Sequence, residues 1–175
     1  MDTSEPNLNE SNDEGSKIFD FLRQRDILSS SMERVVGNFA LKWGISKFRA
    51  VLETHMIDEG PLADLLADKL GYPRLTRVKI LKVSKEILAL IPFDRALELM
   101  VFPFELSELG RLHVVLADPS RPDIIRELEV LTGKTIEPFV GEHGDIIAAI
   151  QRHYPLTLQM PSLLSVVLNS KGVTP

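Results

Sequence analysis

Cysteine is absent from the 175 residues. Disulfide frameworks, thiolate zinc sites and cysteine nucleophiles are therefore excluded. Long apolar runs are also missing: no stretch approaches the ~18 residues that a membrane-spanning helix requires. The first 16 residues contain no lysine, no arginine and no apolar core, so they lack the pattern of a secretory signal. These absences lead to the expectation of a cytoplasmic protein without direct membrane insertion. The chemistry motifs are equally scarce. No G-x-x-x-x-G-K-[ST] phosphate cradle occurs, nor G-x-G-x-x-G, H-E-x-x-H or G-x-S-x-G. The four histidines, His55, His113, His143 and His153, are dispersed and are expected at surfaces and caps rather than as metal ligands. No catalytic set, metal or cofactor is expected, and the chain is read as a non-enzyme.

A surplus of positive charge is missing too. The net charge is −5, and Asp2, Glu5, Glu10, Asp13 and Glu14 supply all of it. The remaining chain is balanced, which argues against nucleic-acid binding. What the sequence does have is 44% apolar residues in periodic patterns, ordinary for a globular domain.

Those patterns give four regions. Residues 1–16 read as a disordered acidic tail. Residues 17–73 read as a helical subdomain, opened by Ile18, Phe19 and Leu22. Ser29–Ser31 precede Met32, Val35, Val36 and Phe39 at helical spacing, and Trp43-Gly44 breaks that helix. Phe48, Val51 and Leu52 mark another short helix. Asp58 is the expected N-cap of a helix with Pro61 in its first turn and Leu62, Leu65, Leu66 and Leu70 as its stripe, stopped by Gly71 and Pro73. Residues 27–36 and 56–66 form a weak internal repeat: two apolar residues, a capping residue, then an apolar helix.

Residues 74–154 alternate. Arg74, Arg77, Lys79, Lys82 and Lys85 are interleaved with apolar residues, either as a solvated basic face or as a docking patch. Ser84 is expected to cap one short helix, and Pro92 to separate it from a second over about 93–98. A strand over 99–106 is expected to have an exposed edge at Pro103. It pairs as a hairpin with 111–117, where Asp118-Pro119 makes a turn. Ser120 and Asp123 form the expected capping box of a helix over 121–132. A strand over 135–140 should lie parallel to 111–117, because such crossovers are right-handed. A helix over 145–154 closes the region. The fold class is α+β: the helical subdomain followed by a small mixed sheet, β-β-α-β-α, covered by helices on one face. Residues 155–175 contain the apolar run SLLSVVL, expected either to fold back or to occupy a partner.

Three stretches carry a resemblance. LLADKLGYPRL (65–75), ALIPFDRALEL (89–99) and GRLHVVLADPSRPDIIRELEVLTGKTIEPFVG (110–141) resemble, in that order, the N-terminal domain of type II secretion and type IV pilus assembly ATPases. The resemblance runs from about residue 56 to Tyr154. It implies a docking or adaptor module in a secretion, pilus or motility machine. With no motor sequence present, the resemblance implies a free-standing copy or isolated piece without ATP hydrolysis. The partner-binding candidates are Arg74, Arg77, Lys79 and Lys82 with Leu163, Leu164 and Val167 of the apolar tail. In one subset of the family, two tandem helical motifs bind cyclic di-GMP, so a degenerate cyclic di-GMP sensor is the alternative. It would involve Leu62, Leu66, Lys69 and Arg74. His55 stands where that motif has glycine, and Lys69 where it has glutamine.

Overall fold

The computed structural model describes residues 19–119 and 121–154. The acidic tail, Ile18, Ser120 and the apolar run with Leu163, Leu164 and Val167 lie outside the described residues.

Two helix pairs open the fold. Helix α1 covers 19–24 and α2 covers Ser30–Trp43; α3 covers Lys47–Thr54 and α4 covers Glu59–Leu70. The weak repeat in the sequence is a repeat in space. Between the helices of each pair stands one residue in the left-handed region, Asp26 at φ 55° and His55 at φ 49°. Two apolar residues follow, Ile27-Leu28 or Met56-Ile57, and then the N-cap, Ser29 or Asp58. Side chains seldom adopt this backbone without a cost, and Asp is among the residues that tolerate it best. The caps differ. Ser29 accepts from the Met32 amide at 3.3 Å, as its type predicts. Asp58 holds the N-cap position but makes no side-chain cap bond.

The second half is a three-stranded sheet in the order β1-β2-β3, with β1 at Val101–Leu106, β2 at Leu112–Leu116 and β3 at Ile136–Val140. β1 and β2 form the expected hairpin, and β2 runs parallel to β3 across helix α7, Pro122–Thr132. Short helices α5 (Lys85–Leu88) and α6 (Phe93–Leu99) precede the sheet, and α8 (His143–His153) closes it. Ser84 caps α5 through the Ile87 amide.

Four expectations need correction. Leu99 ends α6 rather than opening the strand, because Met100 turns left-handed at φ 53° before β1 begins. Pro103 is buried and paired with Val114, because α5 and α6 pack against β1; exposure begins only at Glu105, after a bulge. The N-cap of α7 is Arg121, one residue later than expected; it makes no side-chain cap bond and its guanidinium holds Asp123 at 2.5 Å, while Ser120 of the expected capping box lies outside the described residues. Helices do not cover one face alone. Leu112, Val114 and Leu116 are buried on one face of β2, and Val115 is buried on the other. A Cβ placed on Gly141 would meet Val115 Cγ2 at 2.5 Å and Ile146 Cδ1 at 3.2 Å, so α8 presses on that second face where only glycine fits.

The outer edge of β3 is not open either. Val140 accepts from Leu75 N and donates to Pro73 O, both at 2.9 Å, adding a short parallel bridge at Arg74. A 3-10 turn, Val78–Ile80, then docks on α8. Val78 is fully buried, Lys79 Nζ meets Asp145 at 3.0 Å, and Arg152 donates to the Lys79 carbonyl. One core cluster runs through both halves, from Leu22 and Phe48 to Ile146 and Ile150.

Candidate functional site

Two places gather polar side chains with a purpose beyond solvation. The first is a node where α3, α4 and α8 meet. The left-handed turn at His55 puts its ring beside the first turn of α4, where Nδ1 lies 3.0 Å from Glu59 Oε1. Glu59 also reaches across to α8 and accepts from the Gly144 amide at 2.8 Å. A carboxylate on a free amide at a helix start is well placed electrostatically. Glu59 thus joins the first turn of α4 to the N-terminus of α8.

His143 sits at the centre of the node, 2% exposed, with neither ring nitrogen hydrogen-bonded. Its Nε2 faces Glu53 Oε1 at 3.8 Å and its Nδ1 faces Glu59 Oε1 at 3.9 Å. The His55 ring is 6.2 Å away. Arg49 pairs with Glu53 at 3.2 Å and donates to the Glu98 carbonyl. Burial pushes the His143 pKa below its ordinary 6.5, against the upward pull of Glu53 and Glu59 and together with Arg49 and His55. No group of three or more metal-ligating side chains forms among the described residues. The node was not legible as a site in the sequence. Glu59 and Gly144 are 85 residues apart, and no spacing rule connects them.

The second place is an open cleft of about 870 Å³ against α1, α2 and the start of α3. Arg23, Arg34, Asn38, Leu41 and Lys47 line it, beside Glu33 and Asp20. Arg23 is engaged by Asp20 at 3.1 Å. Lys47 lies over the Phe19 ring. Along the outside of α2, Val35, Leu41 and Trp43 are exposed, with Phe39 against Trp43.

The described residues among those singled out in the sequence fall outside both places. Leu62 and Leu66 are buried in the core at 3% and 1%. Lys69 places Nζ 4.0 Å from the Phe21 ring centroid, tying α4 to α1. Arg74 is committed inside the fold: it donates to Asp64 at 2.8 Å, Glu142 at 2.7 Å, Leu75 O at 2.6 Å and Val140 O at 3.3 Å. Its side chain is only 16% exposed, so it is a clasp between α4, the bridge and α8 rather than an open cation. Lys79 is paired with Asp145, while Arg77 and Lys82 are exposed beside Ile80.

Comparison with known proteins places this geometry. The MshEN domain matches residues 70–160. The type IV pilus assembly ATPase PilB of Thermus thermophilus is 29% identical over 120 residues, 67% of this chain and 13% of that protein. PilB of Myxococcus xanthus is 28% identical over 151 residues, 86% of this chain and 26% of that protein. The chain therefore spans only a small part of the length of these relatives. Among solved structures, the N-terminal domain of XpsE superposes with a TM-score of 0.65 at 19% identity, covering 81% of this chain and 96% of that one. MshE, solved with cdg, superposes with a TM-score of 0.56 at 18% identity, covering 77% and 96%. At these identities the two structures establish the fold.

Proposed function

The chain belongs to the MshEN domain family, and from that premise we propose that it is a non-enzymatic docking module for a component of a secretion, pilus or motility machine. The observation that carries this reading is what the similarity covers. It matches the N-terminal domain of secretion and pilus ATPases, and no phosphate-cradling motif lies anywhere in the 175 residues. No helix among the described residues is long and apolar enough to cross a membrane. The ridge of Arg77, Ile80 and Lys82 offers cations beside an exposed aliphatic side chain, suited to an acidic, partly apolar partner surface. Leu163, Leu164 and Val167 complete the proposed contact.

Capture experiments test this in the native cell, read by mass spectrometry for pilus and secretion components. The intact chain should enrich such a component, and Arg77→Glu with Lys82→Glu should lose it while the domain stays folded. Deleting residues 156–175 should also abolish capture without unfolding. A charge-reversed variant that captures as well as the parent would remove the ridge from the reading.

A second reading is cyclic di-GMP sensing. The repeated helix–left-handed turn–helix unit favours it, as does the likeness to MshE, which was solved with cdg. Two features weigh against it. Asp26 and Glu59 set carboxylates at both turns, where a phosphate would be repelled. Leu62 and Leu66 are core residues, and Arg74 is already held by two carboxylates. The room and the open cations are in the cleft, at Arg34 and Lys47. Calorimetry decides the matter: heat that disappears in Arg34→Ala supports the cleft, and no heat at millimolar cyclic di-GMP ends the reading.

A further inference from the structure

The node around His143 has a geometry that a neutral imidazole does not satisfy. A neutral ring has one donor and one acceptor nitrogen. Here each nitrogen faces a carboxylate oxygen, Glu53 on α3 at 3.8 Å from Nε2 and Glu59 on α4 at 3.9 Å from Nδ1. Whichever nitrogen is the acceptor meets another acceptor. Only the imidazolium, with two N–H donors, matches both partners, and an approach of under 1 Å would bring both to hydrogen-bond distance.

We propose that this node is a proton-operated clasp: a proton taken from solvent onto the free nitrogen of His143 draws Glu53 and Glu59 inward and ties α3 and α4 to the start of α8. The groups facing the ring are Glu53 and Arg49 on α3, His55 at its end, and Glu59 on α4. Arg49 and His55 are cations or potential cations that oppose the proton; the two carboxylates favour it. Glu59 is already bonded to the Gly144 amide, one residue along from His143, so its movement is felt directly at the α8 N-terminus. Because burial outweighs the pull of the two carboxylates, the proton exchanges an unbonded ring for two ion pairs at a net cost in fold stability. It rests on this geometry alone and stands whether or not the docking reading holds.

Nuclear magnetic resonance on the intact chain tests it. Between pH 8 and 5 the His143 ring, the Gly144 amide and the side-chain carboxyls of Glu53 and Glu59 should move together with one midpoint. Combining Glu53→Gln and Glu59→Gln should lower the His143 midpoint by about one unit or more, the effect of removing charges at this distance. His143→Phe should abolish the shared transition at Gly144. If the double variant does not fold, Glu53→Gln alone serves, because Glu53 holds no backbone amide, and it should give a smaller shift in the same direction. A His143 midpoint unmoved by these changes, or a Gly144 amide that ignores the titration, would overturn the clasp.

Discussion

The two helix pairs share one backbone plan and have opposite fates. In the first, α2 leaves Val35, Leu41 and Trp43 in solvent and borders an open cleft. In the second, α4 buries Leu62, Ala63, Leu66 and Ala67 and is fastened by Glu59 to α8 and by Asp64 to Arg74. The difference lies in what stands opposite each helix. α4 packs against β3, whereas α2 packs on α3. A repeated local pattern thus sets turns and caps, and tertiary neighbours decide which copy is core and which is surface.

Substitutions can break or sharpen that contrast, and the largest effect should come from the core. Leu66→Ala should cost about 2–5 kcal/mol in denaturant unfolding, while Val35→Ala should stay within about 0.5 kcal/mol. Equal losses would mean that the two copies are not distinguished by burial. Arg74→Ala removes four donated hydrogen bonds and leaves Glu142 facing a lost partner. A loss of about 2–3 kcal/mol is expected, below the range for a fully buried pair because Asp64 is exposed. Ser29→Ala should cost about 1 kcal/mol and Asp58→Ala much less, since only Ser29 makes the cap bond.

Acid should also act on the second pair rather than the first. The folded pKa of His143 lies below 6.5, so the folded state takes up its proton less readily than the unfolded chain. Stability from this group is complete above about pH 6.5 and declines as pH falls below it towards the folded value. The melting temperature should therefore drop in that window, and His143→Phe should flatten the dependence there. The smallest effect is at the turns. Asp26→Gly should stabilise by up to about 1 kcal/mol by relieving the left-handed strain. His55→Gly should gain less, because it also gives up the contact to Glu59.

Much of the fold was legible because it is local. Ser29 and Ser84 announce helix starts, Gly71 and Gly133 announce stops, and the parallel partner of β2 follows from the crossover rule. Pro103 misled because proline predicts an edge, and an edge strand can still be covered by short helices. Arg74 looked like an open cation because its carboxylate partners, Asp64 and Glu142, are 10 and 68 residues away. His143 was invisible for the same reason. Its environment is assembled from α3 and α4, and nothing within its own helix foretells the burial.

Tyr154 adds a mechanical consequence. Its hydroxyl donates to the Ile91 carbonyl at 2.8 Å, its ring lies against Phe93, and burial raises its pKa so that the donor is kept across ordinary pH. Residues 155–175 continue from this point. Tension applied along them meets the junction of α5 and α6 through the Tyr154 hydroxyl and ring, and meets β1 through the neighbouring His153 ring against Phe102. The load at that end is thereby divided between the α5–α6 junction and the sheet, and Tyr154→Phe would leave the ring contact with Phe93 but remove the hydroxyl's share.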